Sequence, residues 1–218
     1  MVLAPERKRV VAVSRELAQR GLVLGTAGNV SAREGDRVAI TPTGAVLSEL
    51  QAGDVAVVDL DGAQLDGPLE PTSEVDLHLE VLRRYETGGV VHTHSPMATA
   101  LSCVLDEVPC VHYSMLALGG AVPVAPYTTF GTPALAGSVV EALEGHTAAL
   151  MANHGAVTHA ATVEHALGLS LLLEWACGVY WHAAQLGEPR VLDSDERNAV
   201  IAAVTERGYG TTRPAGRG

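Results

Sequence analysis

Lysine is almost absent from this sequence of 218 residues, since it occurs once, at Lys8, on what we expect to be the solvated face of the first helix. A mechanism that forms a Schiff base with a carbonyl substrate needs a desolvated lysine, and this position does not supply one. If the protein activates a carbonyl group, we therefore expect a metal ion to do so.

Paired cysteines, clustered basic residues and long apolar runs are also missing. The three cysteines form no CxxC pair, which argues against a disulfide framework and a cysteine zinc cluster and favours a reducing cytoplasm. A formal net charge of −11 disfavours binding to nucleic acid. No run approaches the ~18 apolar residues of a membrane span. We expect a cytoplasmic protein that binds neither nucleic acid nor membrane.

The composition and the order of elements indicate one α/β domain. With 47% hydrophobic and 18% charged residues, the chain can fill one sizeable core. Short strand pairs that turn at "EGD" and at Asp61-Gly62 are mixed with amphipathic helices, the longest over about 162–186. We expect a single domain over 1–218 with a flexible tail at about 209–218. The predicted architecture has three αβα layers, with a central, mostly antiparallel sheet covered by helices on both faces.

Two histidines lie two residues apart in "VVHTHS", where the valines favour an extended strand. Side chains at i and i+2 leave a strand on the same face, so His92 and His94 would point the same way. His154, in "MANHGAV", follows another apolar strand at a turn that could bring it over the end of the sheet. Three neutral histidines are a ligand set for catalytic Zn²⁺. Because nine histidines allow many triplets, ordinary hydrogen-bonded histidines remain the alternative.

Glu74 follows the helix-start signal "PTS". A carboxylate in the first turn of a helix interacts favourably with the helix dipole, so a capping role is the first interpretation and an acid/base role the second. His78 lies four residues later on the same helix face and could orient Glu74, bind a metal as a fourth ligand, or only pack.

Three short segments have the composition of phosphate-binding loops. "GTAGNVS", "TPTG" and the pair at 72–73 are rich in glycine and in small hydroxyl and amide side chains, and none contains lysine or arginine. Phosphate binding there would depend on N–H and O–H donors and on a helix start. Each segment alone is equally compatible with an ordinary turn.

Several motifs in a fixed order resemble the class II aldolase/epimerase family over most of the chain, to about residue 187. They are "GLVLGTAGNVSAR", "TPTG", "PTSEVDLH", "VVHTHS", "VHYSMLALGG", "VPVAPYTTFGT" and "MANHGAV". The resemblance implies a lyase that cleaves a ketose 1-phosphate, such as L-fuculose 1-phosphate, to dihydroxyacetone phosphate and a short aldehyde through a metal-bound enediolate. It also implies one Zn²⁺ per subunit, held by His92, His94 and His154.

The same resemblance implies roles for further residues. Glu74 would be the acid/base group, and Tyr113 would donate a proton to the aldehyde oxygen across a subunit boundary in a homotetramer with active sites at the interfaces. Tyr209 resembles a tail tyrosine that closes the site, although the flanking "GTTRPAGRG" departs from the family pattern. The residues implied in phosphate binding are Thr26, Asn29, Thr43, Gly44, Thr72 and Ser73.

Other activities on the same scaffold remain as alternatives. They are L-ribulose 5-phosphate 4-epimerisation, sugar-acid phosphate decarboxylation, aldol cleavage of 5-deoxypentulose 1-phosphates, and a non-enzymatic adducin-like scaffold. The epimerases carry an aspartate in place of Glu74 and a further acidic residue near "LALGG", whereas this chain has no acid between Ser114 and Val124. The intact histidines and Glu74 argue against the non-enzymatic alternative.

Overall fold

The computed structural model describes residues 1–207, so Tyr209 and the tail expected at 209–218 lie outside the described residues. The helices are α1 (Ala4–Gln19), α2 (Val75–Arg84), α3 (Pro96–Ser102), α4 (Pro133–Ala142), α5 (Val163–Leu186) and α6 (Ser194–Arg207), with a 3₁₀ helix at Tyr113–Leu118. The strands are β1 (Asn29–Glu34), β2 (Arg37–Ile40), β3 (Ala56–Asp59), β4 (Gln64–Asp66), β5 (Gly89–Thr93), β6 (Glu107–Val108), β7 (Val122–Ala125), β8 (Ala148–Met151) and β9 (Gly155–Ala160).

These strands form one sheet in the order β4-β3-β2-β1-β5-β9-β8-β7-β6. Neighbouring described strands pair antiparallel except β7 and β8, which are parallel. The predicted hairpin that turns at "EGD" is the β1–β2 pair, and the pattern repeated around Asp61-Gly62 is the β3–β4 pair. The prediction of a mostly antiparallel central sheet is confirmed.

Each face of the sheet buries its own apolar cluster. Along β5, Val91 packs in a cluster with residues of α1, α3 and α5, whereas Val90 packs in a second cluster with residues of α2 and α4. Consecutive side chains of a strand leave opposite faces, so a strand covered on both sides is apolar at both positions. This arrangement confirms the three-layer αβα prediction.

Local sequence signals define the helix starts. Thr132 and Thr162 cap α4 and α5, because each hydroxyl accepts a hydrogen bond from the backbone N–H three residues later. Pro96 and Pro133 occupy the first turns of α3 and α4, where a missing N–H costs nothing. Within residues 1–207, no helix is long and apolar enough to cross a bilayer.

Residues 108–130 mix apolar residues with glycine and proline and give no clear periodicity in the sequence. In the structure they contain the 3₁₀ helix Tyr113–Leu118 and the short strand β7, which extends the sheet beside β8. Gly119 and Gly120, both at positive φ, turn the chain between these two elements. The segment places Tyr113 at the start of the 3₁₀ helix.

Candidate metal centre and active site

The register of the central strands determines which side chains meet at the candidate site. His92 on β5 lies directly opposite Asn29 on β1 and opposite Val157 on β9. Its imidazole therefore leaves the middle of the sheet, on the face covered by α2 and α4, where Val90 also points.

The three histidines singled out in the sequence converge. Nε2 of His92 lies 3.0 Å from Nε2 of His94, and the ligand nitrogens of His92, His94 and His154 all lie within 4.8 Å of one another. The centroid separations of the three rings are 4.8, 5.0 and 4.9 Å. Zn–N bonds are about 2.0–2.1 Å long, so two nitrogens bound to one ion lie at most about 4.2 Å apart. The His92–His94 pair at 3.0 Å meets this limit, and the 4.8 Å bound for the whole set is close to it.

His154 reaches the cluster through a tight turn between β8 and β9. Asn153 has a φ of 55°, a left-handed conformation that asparagine tolerates better than most residues. A Cβ added to Gly155 would lie 2.2 Å from the carbonyl oxygen of Thr93 and 3.3 Å from Cε1 of His92. Only glycine fits at this close approach of β9 to β5, next to the third histidine.

The hydrogen bonds and the electrostatics of the cluster suit a cation. Nδ1 of His92 donates to the carbonyl oxygen of Ala156 at 3.0 Å, which leaves the lone pair of Nε2 facing the other two imidazoles. Burial, with the charges of His92 and His154, lowers the pKa of His94 to about 4. Burial likewise lowers the pKa of His154, with a further contribution from the charge of His92. Neutral imidazoles are the form that binds metal.

A buried carboxylate oxygen adds a second observation. Oε1 of Glu74 has no hydrogen-bond partner among residues 1–207 and lies 3.5 Å from Nε2 of His154. An unpaired buried acceptor is costly unless a positive group or a bound ligand satisfies it. The three imidazoles and this adjacent oxygen fit a divalent cation with a position left for substrate.

Glu74 does not cap α2 in the manner that the first sequence interpretation expected. It occupies the N-cap position, but within the described chain its side chain makes no capping hydrogen bond. Instead, Oε2 lies 3.2 Å from Nε2 of His92 and accepts a hydrogen bond of 2.8 Å from Nδ2 of Asn29. The capping interpretation is wrong because the sheet supplies stronger partners for the carboxylate than the helix terminus does.

The surroundings of Glu74 favour its ionised form. The side chain is 7% exposed, and burial alone would raise the pKa of its carboxyl group. The close contacts with His92 and His154 and the hydrogen bond from Asn29 outweigh that penalty and bring the pKa of the carboxyl group well below its usual value. Glu74 is therefore placed as a carboxylate beside the three histidines.

His78 is fully buried and does not join the histidine cluster. Its Nε2 lies 2.5 Å from Oδ1 of Asn29 and its Nδ1 lies 2.7 Å from Oγ of Ser31. Burial, with the charge of His92, lowers the pKa of His78 to about 3, so the ring is neutral. Both ring nitrogens are engaged away from the cluster, which excludes the interpretation of His78 as a fourth metal ligand.

A cavity of about 350 Å³ opens beside this cluster. Glu74, His94 and His154 line it, and none of the described residues around it is a lysine or arginine. The cavity also brings together every residue named above for phosphate binding: Thr26, Asn29, Thr43, Gly44, Thr72 and Ser73.

Backbone contacts hold two of the three phosphate-loop segments together. Thr72 donates its N–H to the carbonyl oxygen of Thr41 at 3.0 Å, and Thr43 donates its N–H to the backbone carbonyl oxygen of Glu70 at 3.0 Å. These pairs join "TPTG" to the segment before α2. Because both N–H groups are already bonded, an anion in the cavity would rely on the neighbouring hydroxyl groups and on the remaining N–H donors.

Sequence reasoning missed four residues that line the cavity, namely Tyr127, Thr128, Phe130 and Asn153. Phe130 is the only phenylalanine in the chain, and it is 66% exposed. The signal available in the sequence was a large apolar ring between Thr129 and Gly131, in a segment without an apolar pattern that would place it in the core.

Tyr113 lies outside this cavity. It is 41% exposed and lines a second, more apolar cavity of about 530 Å³ together with residues of α5 and α6. Its ring stacks near His112 with a centroid distance of 4.5 Å. Within one chain, the fold does not bring Tyr113 into the cavity of the three histidines.

Comparison with known proteins identifies the class. Residues 8–181 match the family described as "Class II Aldolase and Adducin N-terminal domain". The chain is 36% identical over 197 residues to a 5-methylthioribulose-1-phosphate/5-deoxyribulose-1-phosphate aldolase of Rhodospirillum rubrum, with 89% of each chain covered. It is 37% identical over 213 residues to a 5-deoxy-D-ribulose 1-phosphate aldolase of Bacillus thuringiensis, covering 96% of this chain and 99% of that one.

A solved structure agrees. An L-fuculose 1-phosphate aldolase matches with a TM-score of 0.88 and 30% identity, over 94% of this chain and 98% of the other. The chain therefore belongs to the class II aldolase and adducin family, and within it to the metal-dependent aldehyde-lyases.

Proposed function

We propose that this protein is a zinc-dependent aldolase that cleaves a ketose 1-phosphate to dihydroxyacetone phosphate and a short aldehyde. One observation carries the proposal: a single cavity joins the three-histidine cluster and Glu74 to a group of N–H and O–H donors suited to a phosphate. A sugar phosphate held at both ends would present its carbonyl group near the cluster, which fixes the reacting bond.

His92, His94 and His154 are the residues that would hold the ion, one per subunit. When bound there, Zn²⁺ would supply Lewis-acid stabilisation of the negative charge that develops on the substrate oxygens. Three neutral ligands suit that task because they do not reduce the charge of the ion.

In the addition direction the carboxylate of Glu74 takes a proton from C3 of dihydroxyacetone phosphate, the electron pair of that C–H bond forms the C3–C4 bond to the aldehyde carbon, and the aldehyde oxygen takes up a proton. Cleavage runs the same steps in reverse. We propose that Glu74, ionised and buried beside the histidines, carries the proton to and from C3. In the addition, Tyr113 of a neighbouring subunit would donate a proton to the aldehyde oxygen.

Thr26, Asn29, Thr43, Gly44, Thr72 and Ser73 would bind the phosphate. Their position around one cavity without a basic side chain supports binding through hydroxyl, amide and backbone donors. Because the phosphate is remote from the bond that breaks, its binding energy would mainly fix the orientation of the substrate.

The role of Tyr113 requires an oligomer. We propose a homotetramer with active sites at subunit interfaces, since the exposed Tyr113 lies away from the cavity of its own chain. A cytoplasmic location and a closing role for Tyr209 stay predictions.

Two substrates deserve direct comparison. L-fuculose 1-phosphate would release L-lactaldehyde, and the structural relative named for that sugar supports it. 5-Deoxy-D-ribulose 1-phosphate would release acetaldehyde, and two relatives at 36% and 37% identity are named for 5-deoxyribulose 1-phosphate. Both reactions yield dihydroxyacetone phosphate, so one coupled assay measures both.

The test begins with metal analysis of the purified protein after zinc supplementation, followed by the coupled assay on each substrate. We expect about one zinc per chain and chelator-sensitive release of dihydroxyacetone phosphate. His154→Ala should lose metal and activity, whereas His165→Ala, at an exposed position on α5, should lose neither. Absence of bound divalent metal, or zinc-loaded protein that cleaves neither sugar, would refute the proposal.

A further inference from the structure

We propose that His78 is a positioning residue whose hydrogen bonds orient the Asn29 amide and, through it, the carboxylate of Glu74. The inference rests on the proposed function only for its kinetic consequences. It concerns a buried histidine that does not belong to the three-histidine cluster and does not line the cavity.

The contacts form a continuous chain. Asn29 and Ser31 are two apart on β1, so both side chains face α2, where His78 lies. Oγ of Ser31 lies 2.7 Å from Nδ1 of His78, Nε2 of His78 lies 2.5 Å from Oδ1 of Asn29, and Nδ2 of Asn29 lies 2.8 Å from Oε2 of Glu74.

The hydrogen bond between Asn29 and Glu74 fixes the direction of the other hydrogen bonds in this series. Nδ2 of Asn29 is a donor and bonds to Oε2 of Glu74, which turns Oδ1 of the same amide towards His78. Oδ1 can only accept, so Nε2 of His78 must carry the proton. Nδ1 is then the acceptor, and the hydroxyl of Ser31 must donate to it. Only one tautomer of a neutral His78 satisfies the chain.

Without His78 the Asn29 amide loses the hydrogen bond that holds Oδ1, and only its bond to Glu74 still opposes rotation of the amide. Rotated by 180°, it would place Oδ1 against Oε2 of Glu74, and two acceptors in contact repel each other. The carboxylate would then lose a donor and shift relative to Nε2 of His92, which lies 3.2 Å away in the present arrangement. Proton transfer to C3 depends on that position, so the loss should appear in kcat.

A purely structural role would leave a different signature. A buried imidazole that only fills space and satisfies its own hydrogen bonds would affect stability, with no selective effect on Glu74. His159 provides a matched example: it is buried on β9, stacks on Tyr85 and bonds to the carbonyl oxygen of His146, and it does not line the cavity. Loss of His159 should therefore lower the stability of the fold without changing the orientation of Glu74.

The experiment compares His78→Leu, His78→Gln and Ser31→Ala with His159→Leu in the zinc-loaded enzyme. We expect His78→Leu to lower kcat by about 10- to 100-fold with an unchanged zinc content, as when a partner of a reactive group is lost. His78→Gln retains an N–H donor near the position of Nε2 and should recover most of kcat. His159→Leu should leave kcat within about threefold of wild type.

A second measurement does not depend on activity. In the zinc-loaded protein, NMR of the ¹⁵N-labelled imidazole should show His78 as the Nε2–H tautomer, and His78→Leu should shift or broaden the side-chain amide resonances of Asn29. His159→Leu should leave those resonances in place. If wild-type protein cleaves no sugar phosphate, the proposed function fails while these resonances still test the orientation of Asn29.

Three results would overturn the inference. They are a folded His78→Leu variant with wild-type kcat, an equal loss of kcat in His159→Leu, and an Nδ1–H tautomer of His78. Should His78→Leu fail to fold, His78→Gln and Ser31→Ala decide: the inference requires Ser31→Ala to disturb the Asn29 amide resonances and His78→Gln to preserve them.

Discussion

Asn29 on β1 and His92 on β5 are direct cross-strand neighbours at the end of the antiparallel pair that forms the centre of the sheet. This relationship places the Asn29 amide, which bonds to Glu74, beside an imidazole of the three-histidine cluster. A shift of the pairing by one residue would turn Asn29 and Ser31 to the opposite face and replace them with Val30. The candidate site therefore depends on the register of the sheet as much as on the identity of its residues.

Glu74→Gln should separate catalysis from metal binding. The amide has nearly the same shape but cannot carry the proton, so we expect a normal zinc content and a kcat lowered by at least about 100-fold. Glu164→Gln removes an exposed carboxylate paired with Arg9 on the surface and serves as the control, with activity close to wild type. Undiminished turnover in Glu74→Gln would remove Glu74 from the mechanism.

Gly155→Ala should damage the metal site without changing a ligand. The added Cβ would lie 2.2 Å from the carbonyl oxygen of Thr93, so β9 must move away from β5 and carry His154 with it. We expect a lower zinc content and a free energy of unfolding reduced by about 1–3 kcal/mol, measured by urea denaturation.

The control for this substitution is Gly137→Ala in α4. A Cβ at Gly137 has no heavy atom within 4 Å, and alanine is the better helix former, so this variant should keep its zinc and be as stable as wild type or more so. Full zinc occupancy in Gly155→Ala would show that the turn tolerates the displacement, contrary to expectation.

The pH dependence of stability should report the buried state of His78. Burial, with the charge of His92, lowers its pKa in the folded protein from 6.5 to about 3. Between these pH values the unfolded chain binds a proton that the folded chain does not, so the free energy of unfolding should decrease as the pH falls from 6.5 towards 3. One such group contributes a slope of about 1.4 kcal/mol per pH unit.

The measurement is urea unfolding of metal-free wild type and His78→Gln at several pH values from 7 downwards. Because glutamine does not titrate, the variant should lose less stability per pH unit than wild type does. The metal-free form is used because zinc binding adds its own dependence on pH. Parallel stability curves for the two proteins would mean that His78 takes up a proton as readily in the folded protein as in the unfolded chain, contrary to expectation.

Much of the fold could be predicted because its signals are local. Helix α5, expected over 162–186, is found at Val163–Leu186, and the predicted β1–β2 and β3–β4 hairpins are present. Alternation along "VVHTHS" correctly placed His92 and His94 together. The 3₁₀ helix and β7 had no comparable signal, since glycine and proline interrupt the pattern in that segment.

The partners of Glu74 could not be predicted, because they depend on tertiary contacts. Asn29 is 45 residues away from Glu74 in sequence and meets it only through the packing of α2 on β1. Ser31 and His78 are 47 residues apart, and no local pattern links them. A carboxylate next to a helix start reads as a cap until the sheet beside it is known.

The proposed action of Tyr113 in a neighbouring subunit predicts that two inactive variants restore each other. In a Tyr113→Phe subunit the histidines and Glu74 are intact, whereas a Glu74→Gln subunit can still offer its tyrosine. In randomly mixed assemblies of the proposed tetramer, about a quarter of the interfaces would combine the intact halves, so activity should recover to about a quarter of the wild-type value. Co-refolding equal amounts of both chains and measuring dihydroxyacetone phosphate release tests this.

Complementation discriminates between the two placements of Tyr113 because the defects either share a site or do not. If Tyr113 served its own chain, every site in a mixed tetramer would carry one of the two defects and the mixture would stay inactive. Glu74→Gln mixed with His154→Ala is the control, since both residues line the same cavity and no interface can be repaired. Recovery of activity with the tyrosine variant but not with the histidine variant would locate Tyr113 across an interface. Tyr113 lies outside the cavity of its own chain, so it can act on the substrate only from a neighbouring subunit.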